Sequence, residues 1–206
     1  MASSYHHGNL RAALLTEASA MLAEGGPAAV TLRALAEKTG VSRTAPYRHF
    51  ASKDALLEAV AAEGFARLQT LIRKLTEGIP PDASPADMRA HFERVGAAYV
   101  RFADRYPQHY RLMYGSNALA RAEYPALHDA AESAYDGLVA LIQGAQAAGA
   151  LRTDPPAEQM AYAAWGLVHG LASLLVDGQI ERPADVEAFA RSGLRALLDG
   201  LAPADA

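Results

Sequence analysis

The chain contains no cysteine, which excludes disulfide bonds, thiolate zinc sites and cysteine nucleophiles. It is also poor in β-branched residues, and no alternating apolar run bounded by hairpin turns occurs. Alanine and leucine dominate instead, and both favour helices. The sequence therefore predicts an all-α protein, whose 206 residues suit one compact unit or two small ones.

Long hydrophobic runs are nearly absent too. The one candidate, Met160 to Val176, has no formal charge but is short for a membrane span and contains polar side chains and two glycines. A helix buried at a subunit contact explains this segment better. No signal peptide fits the polar N-terminus, so the sequence predicts a cytoplasmic protein without membrane association.

Acidic residues outnumber basic ones, and the net charge is −4. The charges are segregated, however: residues 1–55 hold six cations and four anions, a net charge of +2, which leaves −6 for the rest. A basic end and an acidic remainder would turn the N-terminal part toward phosphate. The field is weak, so we expect specific DNA binding to depend on two half-sites acting together.

Residues 31–54 combine a short helix, a glycine turn and a second short helix. Thr31 is the predicted N-cap of the first helix, and Gly40 is predicted to end it in the left-handed conformation. Two hydroxyls can start the second helix, those of Ser42 and Thr44. Pro46 would lie in its first turn, where it costs at most one backbone hydrogen bond. This spacing is typical of a helix-turn-helix for the DNA major groove.

The second helix is predicted to expose residues suited to DNA. Tyr47 and Phe50 are expected to share a face, with Phe50 pointing inward and Arg43, Thr44, Tyr47 and Arg48 reaching outward. Arginine can bind guanine O6 and N7, and tyrosine, histidine or lysine can fix the register on phosphate. Lys53 would grip a phosphate at the N-terminus of the following helix. The alternative is a helical hairpin in an all-α core with Arg43, Arg48 and Lys53 as solvated charges.

The flanking runs YHHGNLRAALLTEASAMLAEGG and HFASKDALLEAVAAEGFARL make residues 5 to about 70 closely resemble the N-terminal domain of the TetR family of transcriptional regulators. The resemblance implies a DNA-binding domain over residues 1–52, with helices near 9–25, 32–39 and 43–49. A ligand-binding and dimerisation domain would follow over residues 53–206, making about nine helices in all. The implied DNA contacts are Thr31, Ser42, Arg43, Thr44, Tyr47, His49 and Lys53.

The N-terminal arm departs from the family pattern. Many members carry an arm rich in Lys and Arg, whereas the arm here is MASSYHHGN and the first cation is Arg11. A minor-groove contribution is therefore not supported. His6 and His7 are similar to a fragment of an affinity tag, but residues 5–10 match a family pattern continuous with the first helix, so we interpret them as native. A metal-binding role for this pair is not favoured.

Proline and glycine divide the remainder into helices. Ser84 is the predicted N-cap before a long helix that runs to about Arg105. The other predicted boundaries are Pro107, at the start of a short helix, Pro125, near the start of another, Gly149, at its end, and Pro155 and Pro156, before the penultimate helix. The segment ADVEAFARSGLRALLDGL makes the last helix.

The side-chain pattern of the penultimate helix predicts an effector site. One arc of about 80° on its surface carries Tyr162, Trp165, His169 and Ser173, and the polar tips of Trp165 and His169 need partners when buried. Trp165 with His169 and Gly170 also resembles the Trp-x-x-x-His-Gly signature of one class of TetR C-terminal domains. The predicted ligand-binding set is Tyr99, Phe102, Tyr110, Met113, Tyr162, Trp165, His169 and Ser173. A neutral core histidine is the alternative for His169.

A second arc of the same helix predicts a subunit contact. Gly166 and Gly170 lie one turn apart and permit close approach of another backbone. The last helix exposes too much apolar surface for a monomer, and the two helices resemble the four-helix dimer contact of the family. The predicted dimer residues are Gly166, Gly170, Leu174, Phe189, Gly193, Leu194 and Leu197.

The sequence is interpreted as a homodimeric TetR-like repressor that an unknown small molecule releases from a palindromic double-stranded DNA operator, without enzymatic activity, cofactor or metal. One rival is a helical-bundle enzyme using His109, His128 and His169 with Asp129 or Glu132, although no Glu-x-x-His spacing occurs. The other rival is an architectural DNA-binding protein that needs no ligand.

Overall fold

The computed structural model describes residues 10–77, 79–80, 82–115 and 124–201, and within these ranges the chain forms helices, turns and bends without strands. Its α-helices there are α1 (Leu10–Ala29), α2 (Leu32–Thr39), α3 (Lys53–Thr76), α4 (Pro85–Arg105), α5 (Pro107–Tyr114), α6 (Pro125–Ala147), α7 (Ala157–Val176) and α8 (Val186–Leu201). A 3-10 helix, Pro46–Arg48, lies between α2 and α3. The all-α prediction is confirmed.

Most helix boundaries have a local cause that the sequence shows. The Ala34 N–H donates to the Thr31 hydroxyl at 3.1 Å, so Thr31 is the N-cap of α2 as predicted. Gly40 ends α2 in the left-handed conformation with φ 69°. Ser84 accepts a hydrogen bond from the Asp87 N–H at 3.2 Å and so caps α4. Three further predictions are confirmed: Pro107 begins α5, Pro125 begins α6, and Gly149 follows the end of α6 with φ 71°.

Helix α1 extends beyond the predicted end near residue 25. At Gly26 the backbone leaves the helical region, with φ 66° and ψ −172°, and one further turn follows from Pro27 to Ala29. A φ of this sign is unstrained for glycine, and proline is well suited to the first position of a new turn. The regular helix thus breaks where the sequence predicts its end, but the chain continues as a kinked extra turn.

The chain divides into two compact units, which we describe separately. The first unit comprises Met1–Phe65 and Tyr106–Ala130, and the second comprises Ala66–Arg105 and Ala131–Ala206. The start of α3 and all of α5 therefore pack in the first unit, although the sequence interpretation places them in the second domain. The functional boundary at residues 52 and 53 stays a prediction.

The core of the first unit holds the helix-turn-helix together. α2 and α5 pack against α1, and the buried cluster consists of Leu14, Ala18, Met21, Leu22, Val30, Leu32, Leu35, Phe50, Leu56 and Val60. Because this cluster takes residues from α1, α2, α3 and the segment between α2 and α3, it fixes the recognition segment on a rigid base.

In the second unit, α4 packs against both α7 and α8. Helices α4 and α8 are antiparallel, as three ion pairs between them show: Arg89 with Asp199, Glu93 with Arg195, and Arg101 with Glu187. Gly96 permits close packing here, because a Cβ at this position would lie 2.7 Å from both methyl carbons of Leu194. This pair of helices forms the base on which α7 lies.

Helix α7 is the one helix in the described residues that is long and apolar enough to cross a membrane by length and composition. Only 28% of its most apolar window is buried within the chain. Length and composition are weak indications of a span, because core helices meet the same criteria. The exposed apolar part of α7 is therefore a surface that needs an explanation.

Candidate functional site

The recognition segment, residues 42–49, differs from the predicted α-helix. It consists of a turn at residues 43–45 followed by the 3-10 helix Pro46–Arg48, with i to i+3 hydrogen bonds from Ala45 N–H to Ser42 O and from His49 N–H to Pro46 O. Pro46 has no N–H to donate to the Ser42 carbonyl, and its ring disfavours α-helical geometry for the preceding turn. The segment is therefore a 3-10 helix that begins at the proline, where the missing N–H costs one hydrogen bond.

The prediction that Phe50 points inward and Tyr47 outward is confirmed, but the two side chains do not share a face. Tyr47 is 56% exposed, whereas Phe50 is 3% exposed. The helix ends at Arg48, so Phe50 lies beyond it and the helical spacing no longer applies. The tyrosine is free to face a partner while the phenylalanine anchors the segment in the core.

The recognition segment presents most of the predicted DNA contacts to solvent. Ser42, Arg43, Thr44, Tyr47 and His49 are exposed. The Ser42 and Thr44 hydroxyls lie 3.3 Å apart, so each orders the other. Thr31 is half-buried, and its hydroxyl accepts the capping hydrogen bond at the start of α2 while its own proton remains available to a second acceptor.

Lys53 lies at the first position of α3. The Ser52 hydroxyl accepts a hydrogen bond from the Ala55 N–H at 3.1 Å and so caps the helix immediately before it. A cation at a helix N-terminus opposes the helix dipole, and Asp54 in the first turn offsets this cost only in part. A phosphate at this position would be attracted by both the ammonium group and the helix terminus.

Charge pairing concentrates positive charge near the recognition segment. On α1 and α2, Lys38 contacts Glu24 at 3.2 Å and Glu17 at 3.6 Å, and Arg33 contacts Glu37 at 3.2 Å. The hydrogen bond to Glu24 raises the pKa of Lys38. Among the described residues, the structure shows no ion pair for the remaining cations of this region, which are Arg11, Arg43, Arg48 and Lys53.

The guanidinium group of Arg11 lies over the ring of Phe50, with its central carbon 5.4 Å from the ring centroid. No sequence pattern indicates this contact, because it joins residues 39 positions apart. Residues 1–9, including the predicted arm with His6 and His7, lie outside the described residues.

In the second unit, part of the predicted effector set comes together. The Tyr99 hydroxyl lies 3.2 Å from His169 Nδ1, and the rings of Trp165 and His169 have centroids 5.7 Å apart. Burial lowers the pKa of His169, so the neutral imidazole is favoured. Tyr99 and Phe102 are buried in α4, while Ser173 is half-buried on α7. Tyr99, Trp165 and His169 thus form an aromatic cluster that contains a hydroxyl–imidazole pair.

Tyr135 on α6 is a member of this aromatic cluster that the sequence interpretation missed. Its ring centroid lies 5.1 Å from that of Tyr162 and 6.5 Å from that of Trp165. Its hydroxyl donates to the Glu158 carbonyl at 3.1 Å, which ties α6 to the start of α7. The helical spacing of Tyr135 with Ile142, which is buried, is the signal that could have identified it.

Two other predicted effector residues, Tyr110 and Met113, belong to the first unit. Both are buried in α5. A Cβ at Gly64 would lie 2.8 Å from the Met113 sulfur, so this glycine makes room for the thioether. Tyr110 packs against Tyr114 with ring centroids 5.0 Å apart. In this structure both side chains pack against residues of the first unit, and their role in binding an effector stays a prediction.

The predicted dimer face is open on α7. A Cβ at Gly166 or at Gly170 would have no neighbour within 4 Å, and Leu174 is 37% exposed. Phe189 and Leu197 on α8 are half-buried. Unoccupied space beside two helical glycines is what a closely approaching second backbone requires.

Two members of the predicted dimer set instead pack within the chain. Leu194 has no exposed surface and lies against Gly96, so it belongs to the contact between α4 and α8. A Cβ at Gly193 would lie 3.3 Å from Leu171, which shows that Gly193 permits close packing of α8 on α7. We therefore omit Leu194 from the proposed dimer face and regard Gly193 chiefly as an intrachain packing position.

The histidines of the rival enzyme interpretation do not form a metal-binding group. Among the described residues, no three His, Asp or Glu side chains are arranged to hold a metal ion. His109 is buried in α5, whereas His128 is exposed on α6 and His169 contacts Tyr99 on α4.

Comparisons with known proteins agree with this geometry. The family model described as "Bacterial regulatory proteins, tetR family" matches residues 14–60, and that of the tetracyclin repressor-like C-terminal domain matches residues 92–197. A comparison with curated proteins gives no significant match.

Solved structures resemble the chain over nearly its whole length. A protein of unknown function from Rhodococcus sp. RHA1 is 33% identical, with a TM-score of 0.84, and the match covers 98% of this chain and 100% of that one. A regulatory protein of the tetR family from Rhodococcus RHA1 is 21% identical, with a TM-score of 0.67 and coverage of 95% and 98%. The fatty acid degradation regulator FadR from Bacillus halodurans is 14% identical, with a TM-score of 0.73 and coverage of 94% and 97%.

Proposed function

The chain belongs to the TetR family of bacterial transcriptional regulators, and we propose that it acts as a homodimeric repressor that a small molecule releases from a palindromic operator. Membership makes it a DNA-binding regulator and not an enzyme. The mode of action, the dimer, the effector and a cytoplasmic location belong to the proposal.

The observation that carries the proposal is the distribution of charge around the recognition segment. The acidic residues of α1 and α2 are paired with Arg33 and Lys38, so they do not neutralise the cations that surround the recognition segment. Arg43 can bind a guanine edge, Thr44 suits several base edges, and Lys53 can bind phosphate. Thr31, Ser42, Tyr47 and His49 complete the proposed DNA contacts.

The open face of α7 supports a dimer. Gly166 and Gly170 leave space for a second backbone, and the exposed Leu174 would be covered by it. Phe189 and Leu197 on α8 are proposed to extend the contact. A two-fold dimer would place two recognition segments about 34–36 Å apart, which matches successive major grooves on one side of B-DNA, so the operator is expected to be a palindrome.

The aromatic cluster around His169 supports a small-molecule effector. Burial favours the neutral imidazole, whose Nδ1 lies 3.2 Å from the Tyr99 hydroxyl, and the half-buried Trp165 and the exposed Tyr162 offer apolar area on the same helix. The effector need only prefer the DNA-incompetent state. A hundredfold difference in its affinity for the two states corresponds to about 2.7 kcal/mol of coupling.

The decisive experiment is selection of bound duplexes from a random DNA pool. Enrichment of an inverted repeat with half-sites separated by one helical turn would support DNA binding and two-fold symmetry together. Enrichment of a single half-site would argue against the dimer, and the absence of any enriched sequence at low salt would contradict the proposal. Screening of small molecules for release of the enriched duplex, with Trp165→Ala and His169→Ala as comparison variants, would test the effector site.

A further inference from the structure

We infer that Arg11 is a further DNA-contact residue, held beside the recognition segment by its contact with Phe50 and directed at a backbone phosphate. The inference rests on the proposed DNA binding and adds a residue that the sequence interpretation left outside the site. It also indicates how this chain can supply positive charge from α1, although residues 1–9 contain neither lysine nor arginine.

The position of Arg11 follows from the packing of Phe50. This ring is 3% exposed and belongs to the buried cluster of the first unit, so it is a fixed platform. The guanidinium carbon lies 5.4 Å from the ring centroid, within the range of a cation–π contact. Because Phe50 follows the recognition segment directly, Arg11 is placed next to the end of that segment.

The geometry leaves the hydrogen-bonding capacity of Arg11 available. A guanidinium group carries five N–H donors, and its attraction to an aromatic ring is electrostatic, so donors remain for other acceptors. The residue is exposed, and the described structure shows no carboxylate paired with it. Such a group can contact the ring and bind two phosphate oxygens at the same time.

The charge balance of the region supports the same assignment. The five charged residues of α1 and α2 that form ion pairs are Glu17, Glu24, Arg33, Glu37 and Lys38. Within the part of the chain that the structure describes, Arg11 therefore joins Arg43, Arg48 and Lys53 as a cation of the first unit with no ion pair. A fourth cation in this unit strengthens the attraction for a phosphate backbone without reading the sequence.

The test is the salt dependence of binding to the duplex enriched by selection. For Arg11→Gln, the slope of log K against log salt concentration should become shallower by about 0.9 for each phosphate that the variant no longer binds, and Arg11→Lys should restore the slope because it keeps the charge. Lys53→Gln serves as the positive control. Arg152→Gln serves as the matched negative control, because Arg152 is an exposed arginine of the second unit.

Each outcome has a distinct meaning. A slope unchanged in Arg11→Gln but shallower in Lys53→Gln would overturn the assignment of Arg11 and leave the proposed function standing. A lowered melting temperature with an unchanged slope would show that Arg11 only stabilises Phe50, which also overturns it. Failure of the unmodified protein to bind any enriched duplex would contradict the proposed function itself.

Discussion

Arg43 and Lys53 are expected to contribute differently to DNA binding. Arg43 lies on the exposed recognition segment and is placed to contact base edges, so Arg43→Ala should cost about 1–3 kcal/mol on the operator and relax the preference at one base pair. Lys53 at the start of α3 is placed to contact phosphate, so Lys53→Ala should weaken binding to all sequences and flatten its salt dependence. Fluorescence anisotropy with operator and scrambled duplexes separates the two effects. Equal losses with unchanged selectivity would exclude Arg43 as a base-reading residue.

A second prediction at this scale concerns the buried histidine of α4. His91 is 1% exposed, and burial, with a smaller contribution from the nearby Arg94, lowers its pKa. Burial also lowers the pKa of His169. Between the folded pKa and the unfolded value of about 6.5, the unfolded chain binds more protons, so the free energy of unfolding should fall as the pH falls through this window.

Urea unfolding at a series of pH values measures this dependence. The free energy of unfolding should keep its full value above the unfolded histidine pKa of about 6.5 and decrease as the pH falls below it. His91→Gln should weaken the decrease, and the double variant His91→Gln with His169→Gln should weaken it further. If the double variant kept the pH dependence of the unmodified protein in this range, other groups would have to be responsible.

The sequence predicts residues whose role depends on near neighbours. The Thr31 hydroxyl caps α2 by accepting from Ala34, three positions away. Gly40 ends α2, and its N–H donates to the carbonyls of Ala36 and Glu37, four and three positions away. In contrast, Arg11 meets Phe50 and Tyr99 meets His169 only after the helices have packed. Such contacts depend on tertiary geometry, so residue spacing alone could not predict them.

At the scale of helices, the recognition segment shows how one residue alters an element. The sequence predicts its existence, its boundaries near residues 43–49 and its exposed polar side chains. It does not predict the 3-10 geometry, because the cost of Pro46 depends on where the helix begins. With the first turn at residues 43–45, Pro46 falls where α-helical hydrogen bonding to the Ser42 carbonyl would otherwise start.

The glycines of α7 allow a test that separates intrachain packing from subunit contact. A Cβ at Gly166 or Gly170 would have no neighbour within 4 Å in the chain. Gly166→Ala and Gly170→Ala should therefore stabilise α7 in the monomer by about 0.5–1 kcal/mol each. If a second backbone approaches this face, the same substitutions should raise the dimer dissociation constant. Analytical ultracentrifugation measures the dissociation constant.

Gly137 provides the matched control. It lies inside α6 and its Cβ position is also unoccupied, so Gly137→Ala should stabilise the helix equally without affecting association. An unchanged dissociation constant in Gly166→Ala and Gly170→Ala, or an equal change in Gly137→Ala, would remove α7 from the proposed interface.

For the whole molecule, the positions of the positive and negative charges determine whether a chain of net negative charge can bind DNA. The net charge of −4 would oppose DNA binding if it were spread evenly. Instead, acidic residues of the second unit are engaged in ion pairs between α4 and α8, while in the described part of the chain Arg43 and Arg48 on the recognition segment and Lys53 after it have no ion pair. The sequence predicts the segregation between the two parts of the chain, but the pairing that leaves these particular cations unpaired depends on the fold.

Two half-sites acting together should make DNA binding depend on the dimer. A double variant with Gly166→Leu and Gly170→Leu would block a closely packed partner helix, whereas within the single chain a Cβ at either position has no neighbour within 4 Å. If it is monomeric, each complex has one recognition segment, so the salt slope on the operator should fall to about half because one subunit binds only half of the phosphates. Its affinity for the full operator should approach that of the unmodified protein for a duplex with one half-site. Gly137→Leu controls for the added bulk, and a strictly monomeric double variant that kept the full affinity and slope would show that the operator is read by one subunit alone.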